Sequence, residues 1–297
     1  MSVPDDARTE AVNPRTRGLD ELATADLVAL LVREQGQAVT AAERAAPALA
    51  RAVDATVERL RAGGRLHYFG AGTSGRLGFL DASECPPTFG TSPELVQAHI
   101  AGGLGALTHA VEGAEDDAEA GAMCAKAVLR SNDVAVGISA SGRTQYVVAA
   151  MRAARGLGVT TIGLTSDGSA PLATDVDLPI VVDTGPEPLA GSTRLLAGTA
   201  QKLILGALST ATMVRLGKVY DNLMVDLVAS NAKLRRRALR LVERLADVDA
   251  DRANVLLTNA EGSVKIAVVM ARREMDAPAA RALLERAGGS LRAVLTT

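Results

Sequence analysis

The sequence lacks several features that would point to particular classes of protein. It has no tryptophan, only three phenylalanines and three tyrosines, and nearly balanced charge, with 32 Lys and Arg against 34 Asp and Glu. A nucleic-acid-binding protein is expected to carry a basic surface and aromatic side chains on which bases stack. We therefore expect no nucleic-acid partner. Hydrophobic residues make up 48% of the 297 residues, which is enough for a substantial core.

Long apolar runs are also missing. No window contains the roughly 18 uncharged apolar residues that a spanning helix needs, and the first ten residues lack the apolar stretch of a signal peptide. We expect a cytoplasmic protein with no membrane partner. The first fifteen residues are polar and contain Pro4 and Pro14, which predicts an arm rather than a packed element.

Cysteine and histidine are scarce. The chain has Cys85, Cys124, His67, His99 and His109, and no histidine has metal-site spacing with a cysteine. We expect no metal and no cofactor. A disulfide between the two cysteines would be unusual in a large intracellular chain.

The pattern of apolar residues predicts an α/β fold. After Gly63 and Gly64, short apolar runs alternate with helical stretches, as in a parallel sheet flanked by helices. Strands are predicted at Leu66–Phe69, Leu95–Ile100, Val134–Ile138, Thr160–Leu164 and Ile180–Val182. Helices are predicted between and after them at Gly75–Asp81, Leu107–Leu129, Gln145–Leu157 and Arg194–Leu216. The expected fold is a doubly wound, mainly parallel sheet in three layers, as in flavodoxin.

Helices flank this sheet in the sequence. Apolar residues recur at helical spacing at Leu19–Leu31 and Ala41–Leu60, and again at Leu227–Leu245 and in three short segments up to Ala287. We divide the chain into N-terminal helices (1–56), a sheet domain (57–218) and a small helical C-terminal region (219–297).

A glycine-rich turn follows the first strand. Gly70 to Gly75 satisfies G-x-G-x-x-G and lies where backbone N–H groups would point at an anion. A nicotinamide site would need a carboxylate at the end of the second strand, but that strand ends at Ile100 and is followed by Ala101, Gly102 and Gly103. The sequence thus disfavours an NAD-dependent dehydrogenase.

A second turn of similar composition follows the strand Val134–Ile138. Ser139, Ser141 and Thr144 surround Gly142 ahead of a predicted helix, whose dipole favours a phosphate group. Serine and threonine at such positions also serve as simple helix caps. Two turns of this kind in one sheet favour a bound phosphomonoester.

Acidic residues occur at two informative places. Glu84 precedes Pro86 and Pro87, which are expected to stop a helix and fix the local backbone, so that Glu84 would suit a general acid or base. Most glutamates, however, are solvated surface residues. Glu112 and Glu115 belong to a second acidic group around Gly113, and composition does not decide which of them points inward.

Five stretches of the sequence form one specific pattern. They are Gly70–Phe89, Ala110–Asp116, Ser139–Thr144, Ala197–Lys202 and Asn222–Asp226. Together they resemble the N-acetylmuramic acid 6-phosphate etherase family, which is built on a sugar isomerase (SIS) domain. The resemblance covers nearly the whole chain, including Thr9, Glu10 and Asn13. The resemblance implies cleavage of the lactyl ether of N-acetylmuramic acid 6-phosphate to N-acetylglucosamine 6-phosphate and D-lactate, in cell-wall sugar recycling.

The resemblance also implies roles for individual residues. Glu84 matches the proton donor and Glu115 the second catalytic carboxylate, so that Glu112 is the non-catalytic neighbour. Ser139, Ser141, Gly142 and Thr144 are expected to hold the phosphate, and Thr73 and Ser74 to face the sugar. Ser192, Thr193 and Arg194 are further substrate-binding candidates. The chain departs from the pattern at Leu195 and Leu196, where Met-Lys is usual.

Two further expectations follow from the family. SIS-type domains flanked by apolar helices commonly form homodimers, so we expect at least a dimer. The same fold also serves non-catalytic sugar-phosphate regulators such as the glucokinase regulatory protein, and fold alone does not distinguish them. Glu84 and Glu115 favour the enzyme, because a sensor needs no catalytic carboxylates.

Overall fold

The computed structural model describes residues 8–229 and 231–296. The chain forms two compact units. The first runs up to Ala82 and resumes over Glu94–Ser209, and the second comprises Ser83–Pro93 and the chain from Thr210 onward. The division at residues 56 and 218 that we drew from the sequence stays a prediction. None of the helices in the described part of the chain is long and apolar enough to cross a membrane.

The first unit contains every strand found among the described residues, and helices alternate with them along the chain. The strands are β1 (Leu66–Gly70), β2 (Val96–Ile100), β3 (Val134–Ile138), β4 (Thr160–Thr165) and β5 (Leu178–Val181). The helices of the chain are α1 (Thr24–Glu34), α2 (Gly36–Arg61), α3 (Gly72–Phe89), α4 (Ala118–Val128), α5 (Gln145–Gly156), α6 (Pro171–Thr174), α7 (Leu196–Arg215), α8 (Ala232–Ala246), α9 (Ala250–Asn259), α10 (Val264–Arg273), α11 (Ala277–Arg286) and α12 (Leu291–Thr296).

The strands form one parallel sheet of five strands in the order β2-β1-β3-β4-β5. This confirms the predicted doubly wound fold. Each predicted strand is present, although the last begins earlier than expected, at Leu178. Every residue of β1 and β3 is buried, which explains why these strands read as continuous apolar runs rather than alternating ones.

The glycines of the first turn are required by close packing. A Cβ atom at Gly70 would lie 2.6 Å from the backbone nitrogen of Gly75, and one at Gly75 would lie 2.6 Å from Cγ1 of Ile100. Both distances are far shorter than side chains tolerate. Gly70 and Gly75 therefore allow α3 to start directly against β1 and β2.

The predicted limits of α3 were wrong at both ends. The helix begins at Gly72 rather than Gly75, so Thr73 and Ser74 lie in its first turn and not in a loop. It also continues through Pro86 and Pro87 to Phe89. The two prolines fall in the last turn, where each removes one backbone N–H donor, and the helix ends at Phe89, before Gly90, which has φ +62°.

The helix predicted at Leu107–Leu129 is only half helical. A 3-10 turn at Leu104–Leu107 ends where the predicted helix was to begin, a second forms at Ala114–Asp116, and α4 starts only at Ala118. Gly113 has φ +73°, which no α-helix contains. Asp117 then caps α4 by accepting a hydrogen bond of 2.8 Å from the backbone N–H of Ala120.

The N-terminal arm was a wrong prediction for the residues that the structure describes. Thr9, Asn13 and Thr16 are buried, and 3-10 turns form at Arg8–Glu10 and Pro14–Thr16. The polar side chains of this segment make hydrogen bonds inside the fold, which composition alone cannot reveal. The rest of the predicted arm, residues 1–7, lies outside the described residues.

The second unit contains α8 to α12 around its own apolar core, which includes Val242, Leu256 and Val268. Lys265, which is buried, makes hydrogen bonds to three other parts of this unit. The ammonium of Lys265 donates to Oδ2 of Asp226 at 2.6 Å and to the carbonyls of Gly217 and Gly289 at 2.8 and 2.7 Å. Burial lowers the pKa of Lys265, while the Asp226 carboxylate opposes this shift.

Two histidines stack inside the sheet of the first unit. Nδ1 of His67 on β1 lies 3.0 Å from Nε2 of His99 on β2. On the other side, Nε2 of His67 lies 3.5 Å from Oδ2 of Asp133, which is paired with Arg65. Burial lowers the pKa of both histidines to about 4 from an ordinary value of 6.5. Both rings are therefore neutral in the native state at neutral pH.

The lowered pKa values of His67 and His99 predict that the protein loses stability in mild acid. Below about pH 6.5 the unfolded chain binds protons on both rings, while the native state does not until about pH 4. Each histidine then costs about 1.4 kcal/mol of unfolding free energy per pH unit as the pH falls. Urea unfolding at several pH values between 6.5 and 5 should show this slope, and His99→Gln should reduce it. The exposed His109→Gln is the control, and an unchanged slope in His99→Gln would contradict the assignment.

Candidate active site

The two predicted ligand turns leave the sheet side by side. Gly70 at the end of β1 and Ile138 at the end of β3 are register partners on adjacent strands. The strand order reverses between them, because β2 lies on the far side of β1 and β4 on the far side of β3. Doubly wound sheets bind ligands at this kind of position, outside the carboxyl ends of the strands.

The turn after β3 brings its three hydroxyl groups together. Oγ of Ser139 lies 2.8 Å from Oγ1 of Thr144 and 3.3 Å from Oγ of Ser141. Ser139 is buried, and its Oγ also accepts a hydrogen bond of 3.0 Å from the backbone N–H of Gly142. The sequence prediction that these residues form one cluster is correct as geometry.

Gly142 has a conformation and surroundings that only glycine fits. Its φ is +68°, and a Cβ atom there would lie 2.6 Å from both Oγ1 of Thr165 and Cβ of Ala170. Thr165 in turn donates to the carbonyl of Ala140 at 3.2 Å. The turn is thus pressed against the end of β4, which holds the hydroxyl cluster in place.

The α5 helix starts at this cluster. Thr144 occupies its N-cap position, but the Thr144 side chain makes no capping hydrogen bond. Its hydroxyl contacts Ser139 instead. The positive end of the α5 dipole therefore has no side-chain acceptor from its N-cap, and the helix-cap interpretation of these residues does not apply to Thr144.

The start of α7 differs, because a buried carboxylate already occupies it. Oε2 and Oε1 of Glu187 accept hydrogen bonds of 2.7 and 2.9 Å from the backbone N–H groups of Leu196 and Ala197. Glu187 is completely buried, and burial raises its pKa while the two hydrogen bonds lower it. Leu196, one of the departures from the family pattern, is fully buried beside it.

The remaining predicted substrate residues of the first unit lie around the first turns of α3 and α7. Oγ of Ser74 donates to Oε1 of Gln201 at 2.9 Å. Cγ2 of Thr73 approaches Gly198 closely, so that a Cβ atom there would lie 3.5 Å from it. The turn containing Ser192, Thr193 and Arg194 leads directly into α7, and the carbonyl of Thr193 accepts from the N–H of Gly198 at 2.9 Å.

Glu115 lies in a cavity beside β1 and β2. This cavity has a volume of about 320 Å³, and its lining includes Gly72, Arg76, Glu112 and Glu115. Among the described residues, Arg76 is the only basic one that lines it. Its guanidinium donates to the carbonyls of Ala106, Leu107 and His109, and so holds the chain that leads to the glutamates. Glu112 and Glu115 are both exposed, and both line this cavity.

Glu84 belongs to the second compact unit. It lies on α3, where its side chain is exposed, and the neighbouring Cys85 is buried. The helix stop that we predicted at Pro86 and Pro87 is absent, since α3 runs through both prolines. The helix itself fixes the backbone at Glu84.

Sequence reasoning missed three residues of this region: Arg76, Glu187 and Gln201. Each makes contacts with residues that are distant in sequence, and the hydrogen bonds of Arg76 and Glu187 go to backbone atoms. Gln201 is buried, and its Nε2 has no hydrogen-bond partner among the described residues. The one signal that the sequence offered was for Gln201, which lies inside the family motif Ala197–Lys202.

Comparisons with known proteins identify the relatives of this chain. Residues 108–211 match the SIS domain family, and residues 48–155 match the glucokinase regulatory protein N-terminal SIS domain family. N-acetylmuramic acid 6-phosphate etherase from Deinococcus radiodurans is 51% identical over 98% of this chain and 96% of its own length. The enzyme of the same name from Gloeobacter violaceus is 53% identical over 95% and 93% of the two chains.

A solved structure supports the fold assignment. Phosphoheptose isomerase from Neisseria gonorrhoeae aligns with 64% of this chain and 98% of its own, with a TM-score of 0.50 and 22% identity. At this identity the similarity concerns the fold alone.

Proposed function

The chain belongs to the N-acetylmuramic acid 6-phosphate etherase family, and we propose that it releases D-lactate and N-acetylglucosamine 6-phosphate from N-acetylmuramic acid 6-phosphate in cell-wall sugar recycling. The observation that carries this proposal is identity of about half the residues over nearly the full length of both chains. The activity is that of a carbon–oxygen lyase. The SIS domain, residues 57–218 in our division, would bind the phosphorylated sugar.

We propose that the phosphate binds at the start of α5. Of the helices α5 and α7, α7 is less suited to an anion, because Glu187 already accepts hydrogen bonds from its first backbone N–H groups. At α5 the N-cap side chain does not compete, and the hydroxyl groups of Ser141 and Thr144 both lie within hydrogen-bond distance of that of Ser139. Ser139, Ser141, Gly142 and Thr144 would thus surround the phosphate oxygens.

The sugar would lie between this cluster, the first turn of α3 and the turn that precedes α7. Thr73 and Ser74 approach α7 at Gly198 and Gln201, next to the turn of Ser192, Thr193 and Arg194. We propose that these five substrate-binding residues contact the sugar and its lactyl group. Arg194 is exposed and carries the positive charge that a carboxylate would need.

The chemistry that we propose is elimination followed by addition of water. Opening of the sugar ring gives an aldehyde at carbon 1, which acidifies the proton on carbon 2. A carboxylate removes this proton while an acid protonates the departing ether oxygen on carbon 3, so that lactate leaves and a carbon 2–carbon 3 double bond forms. Water then adds its hydroxyl group to carbon 3 and a proton to carbon 2, which restores the saturated sugar.

Glu84 and Glu115 are the residues that we propose for these proton transfers. Glu84 would be the proton donor for the leaving lactate. Glu115 would handle the carbon 2 proton or the incoming water. Its place in the wall of a cavity of about 320 Å³, near the carboxyl ends of β1 and β2, supports this role.

Replacing either glutamate by glutamine should reduce turnover by about 10²–10⁴-fold without unfolding the protein, because each removes one proton-transfer group. Lactate release from N-acetylmuramic acid 6-phosphate by purified Glu84→Gln and Glu115→Gln would measure this effect. Glu112→Gln, three positions from Glu115 and lining the same cavity, is the matched control and should retain wild-type turnover. A variant that keeps full activity excludes its residue from the mechanism.

The same assay separates the enzyme from a regulator. Residues 48–155 match the domain family of the glucokinase regulatory protein, so a non-catalytic sugar-phosphate sensor is the alternative function. A sensor would bind the sugar phosphate and release no lactate.

Ser141→Ala should raise the KM for the phosphorylated substrate about 10- to 100-fold, because the substrate forfeits one hydrogen bond to its charged group. Ser141 is chosen over Ser139 because the backbone hydrogen bond that Ser141 accepts, from Arg143, is longer at 3.3 Å than the bond of 3.0 Å that Ser139 accepts from Gly142. The exposed Ser131→Ala serves as control. The phosphate assignment is wrong if Ser141→Ala changes the KM for the phosphorylated sugar no more than Ser131→Ala does.

We further propose a cytoplasmic homodimer that uses α1 as part of its interface. Sugar phosphates are retained inside cells, which supports the location. In the apolar helix α1 only Glu34 is buried, while Val28 and Val32 are 54% and 67% exposed one turn apart.

Val28→Asp combined with Val32→Asp should therefore lower the mass measured in solution from that of a dimer to that of a monomer. Light scattering after size-exclusion chromatography measures this mass. Val255→Asp, at an exposed valine of the second unit, should leave the dimer intact. A monomeric wild-type protein would overturn the proposal.

A further inference from the structure

The segment Thr9–Thr16 is polar but lies partly inside the fold. Thr9, Asn13 and Thr16 are 4%, 2% and 7% exposed, whereas the residues between Asn13 and Thr16 are exposed. Polar side chains at such positions must find hydrogen-bond partners, since burying them unpaired is costly. Their partners show what the segment is attached to.

One set of partners lies in the loop Pro186–Gly191. Nδ2 of Asn13 donates to the carbonyl of Pro186 at 3.1 Å, and Oγ1 of Thr16 donates to the carbonyl of Pro188 at 2.8 Å. The backbone N–H of Gly191 donates to the carbonyl of Thr9 at 3.0 Å. The segment therefore contacts this loop at its beginning, middle and end.

The other set of partners lies on α1. Nδ2 of Asn13 also donates to Oε2 of Glu34 at 3.2 Å, and the guanidinium of Arg15 pairs with the same carboxylate at 2.8 Å. Glu34 is the only buried residue of α1. Asn13 thus connects the loop to a buried carboxylate on a regular helix, which gives the segment a rigid attachment.

The loop Pro186–Gly191 leads directly into the proposed substrate-binding turn. Glu187 lies between the two proline carbonyls and caps α7. Directly after Gly191 come Ser192, Thr193 and Arg194. A loop without regular secondary structure is ordered by hydrogen bonds such as these. If they are absent, the binding free energy of the substrate must also supply the cost of ordering the loop.

We propose that the segment Thr9–Thr16 is a positioning element for the substrate-binding turn Ser192–Arg194, with Asn13 and Thr16 as its positioning residues. They do not touch the substrate. They hold the loop Pro186–Gly191 in the conformation that presents the turn, so that substrate binding does not have to order it. This inference rests on the proposed function, because it requires the turn to contact the substrate.

A pair of substitutions at Thr16 tests the proposal. Thr16→Val keeps the shape of the side chain and removes the hydroxyl group, while Thr16→Ser keeps the hydroxyl group. We expect Thr16→Val to raise the KM for N-acetylmuramic acid 6-phosphate about tenfold with kcat within about twofold of wild type. Thr16→Ser should restore the wild-type KM. Amide hydrogen exchange over residues 186–195 should be faster in Thr16→Val only.

Arg17→Ala is the control for a general effect of substitution at this end of the segment, because Arg17 directly follows Thr16 and is exposed. If Thr16→Val is too unstable to study, Asn13→Ala removes the bond to Pro186 and should produce the same split between KM and kcat. An unchanged KM in folded Thr16→Val or Asn13→Ala, or an equal rise in Arg17→Ala, overturns the proposal.

Arg194→Ala tests whether the turn Ser192–Arg194 binds substrate, which is a separate question from whether the segment Thr9–Thr16 positions it. If Arg194→Ala raises the KM and the Thr16 and Asn13 variants do not, the turn binds substrate and the positioning role is wrong. If neither Arg194→Ala nor Ser192→Ala changes the KM, the turn does not bind substrate, and the positioning proposal is overturned with it. Lactate release by the wild-type enzyme tests the function independently of both.

Discussion

The central constraint on this fold is that β1 pairs with both β2 and β3, with Gly70 and Ile138 side by side at their ends. A parallel sheet with this order sends the turns after β1 and β3 to opposite faces from a common edge. The hydroxyl cluster after β3 and the first turn of α3 after β1 are therefore neighbours at that edge. The positions of α5 and α3, and with them the proposed phosphate and sugar contacts, depend on this pairing.

The starts of α5 and α7 have different chemical surroundings. The start of α7 is neutralised by Glu187, a carboxylate supplied by the protein itself, whereas the start of α5 is surrounded by neutral hydroxyl groups. Two chemically similar helix ends thus become unequal toward an anionic ligand. Burial raises the pKa of Glu187, but its two backbone hydrogen bonds favour the charged form that the helix end prefers.

The sequence was a good guide where burial determines the pattern of residues. β1 and β3 are buried on both faces, so their apolar runs identified them directly. It was a poor guide where local rules compete: α3 continues past Pro86 and Pro87, and the left-handed Gly113 interrupts the helix predicted across it. Local propensity predicts neither outcome, because each depends on how the surrounding chain satisfies backbone groups.

The same distinction applies to the residues of the proposed site, where only contacts within one short turn could be predicted. The grouping of Ser139, Ser141 and Thr144 could be predicted, since they lie in one short turn. Glu187 could not be found, because its partners are backbone N–H groups of α7, and the role of Asn13 depends on contacts with residues far along the chain. Glu84 was a candidate from its place ahead of Pro86 and Pro87, but its role as proton donor and the choice of Glu115 over Glu112 came from family resemblance.

The strand order also bears on how the protein is made. When β1 leaves the ribosome, its neighbour β3, which begins at Val134, has not yet been synthesised. In the same way, β3 is made before its own neighbour β4. An apolar strand such as Leu66–Gly70 then exposes an open edge for several seconds at ordinary rates of translation. Nascent chains of this protein are consequently vulnerable to association with one another before the sheet closes. The full-length chain, once released, has no such stage to pass through again unless it unfolds.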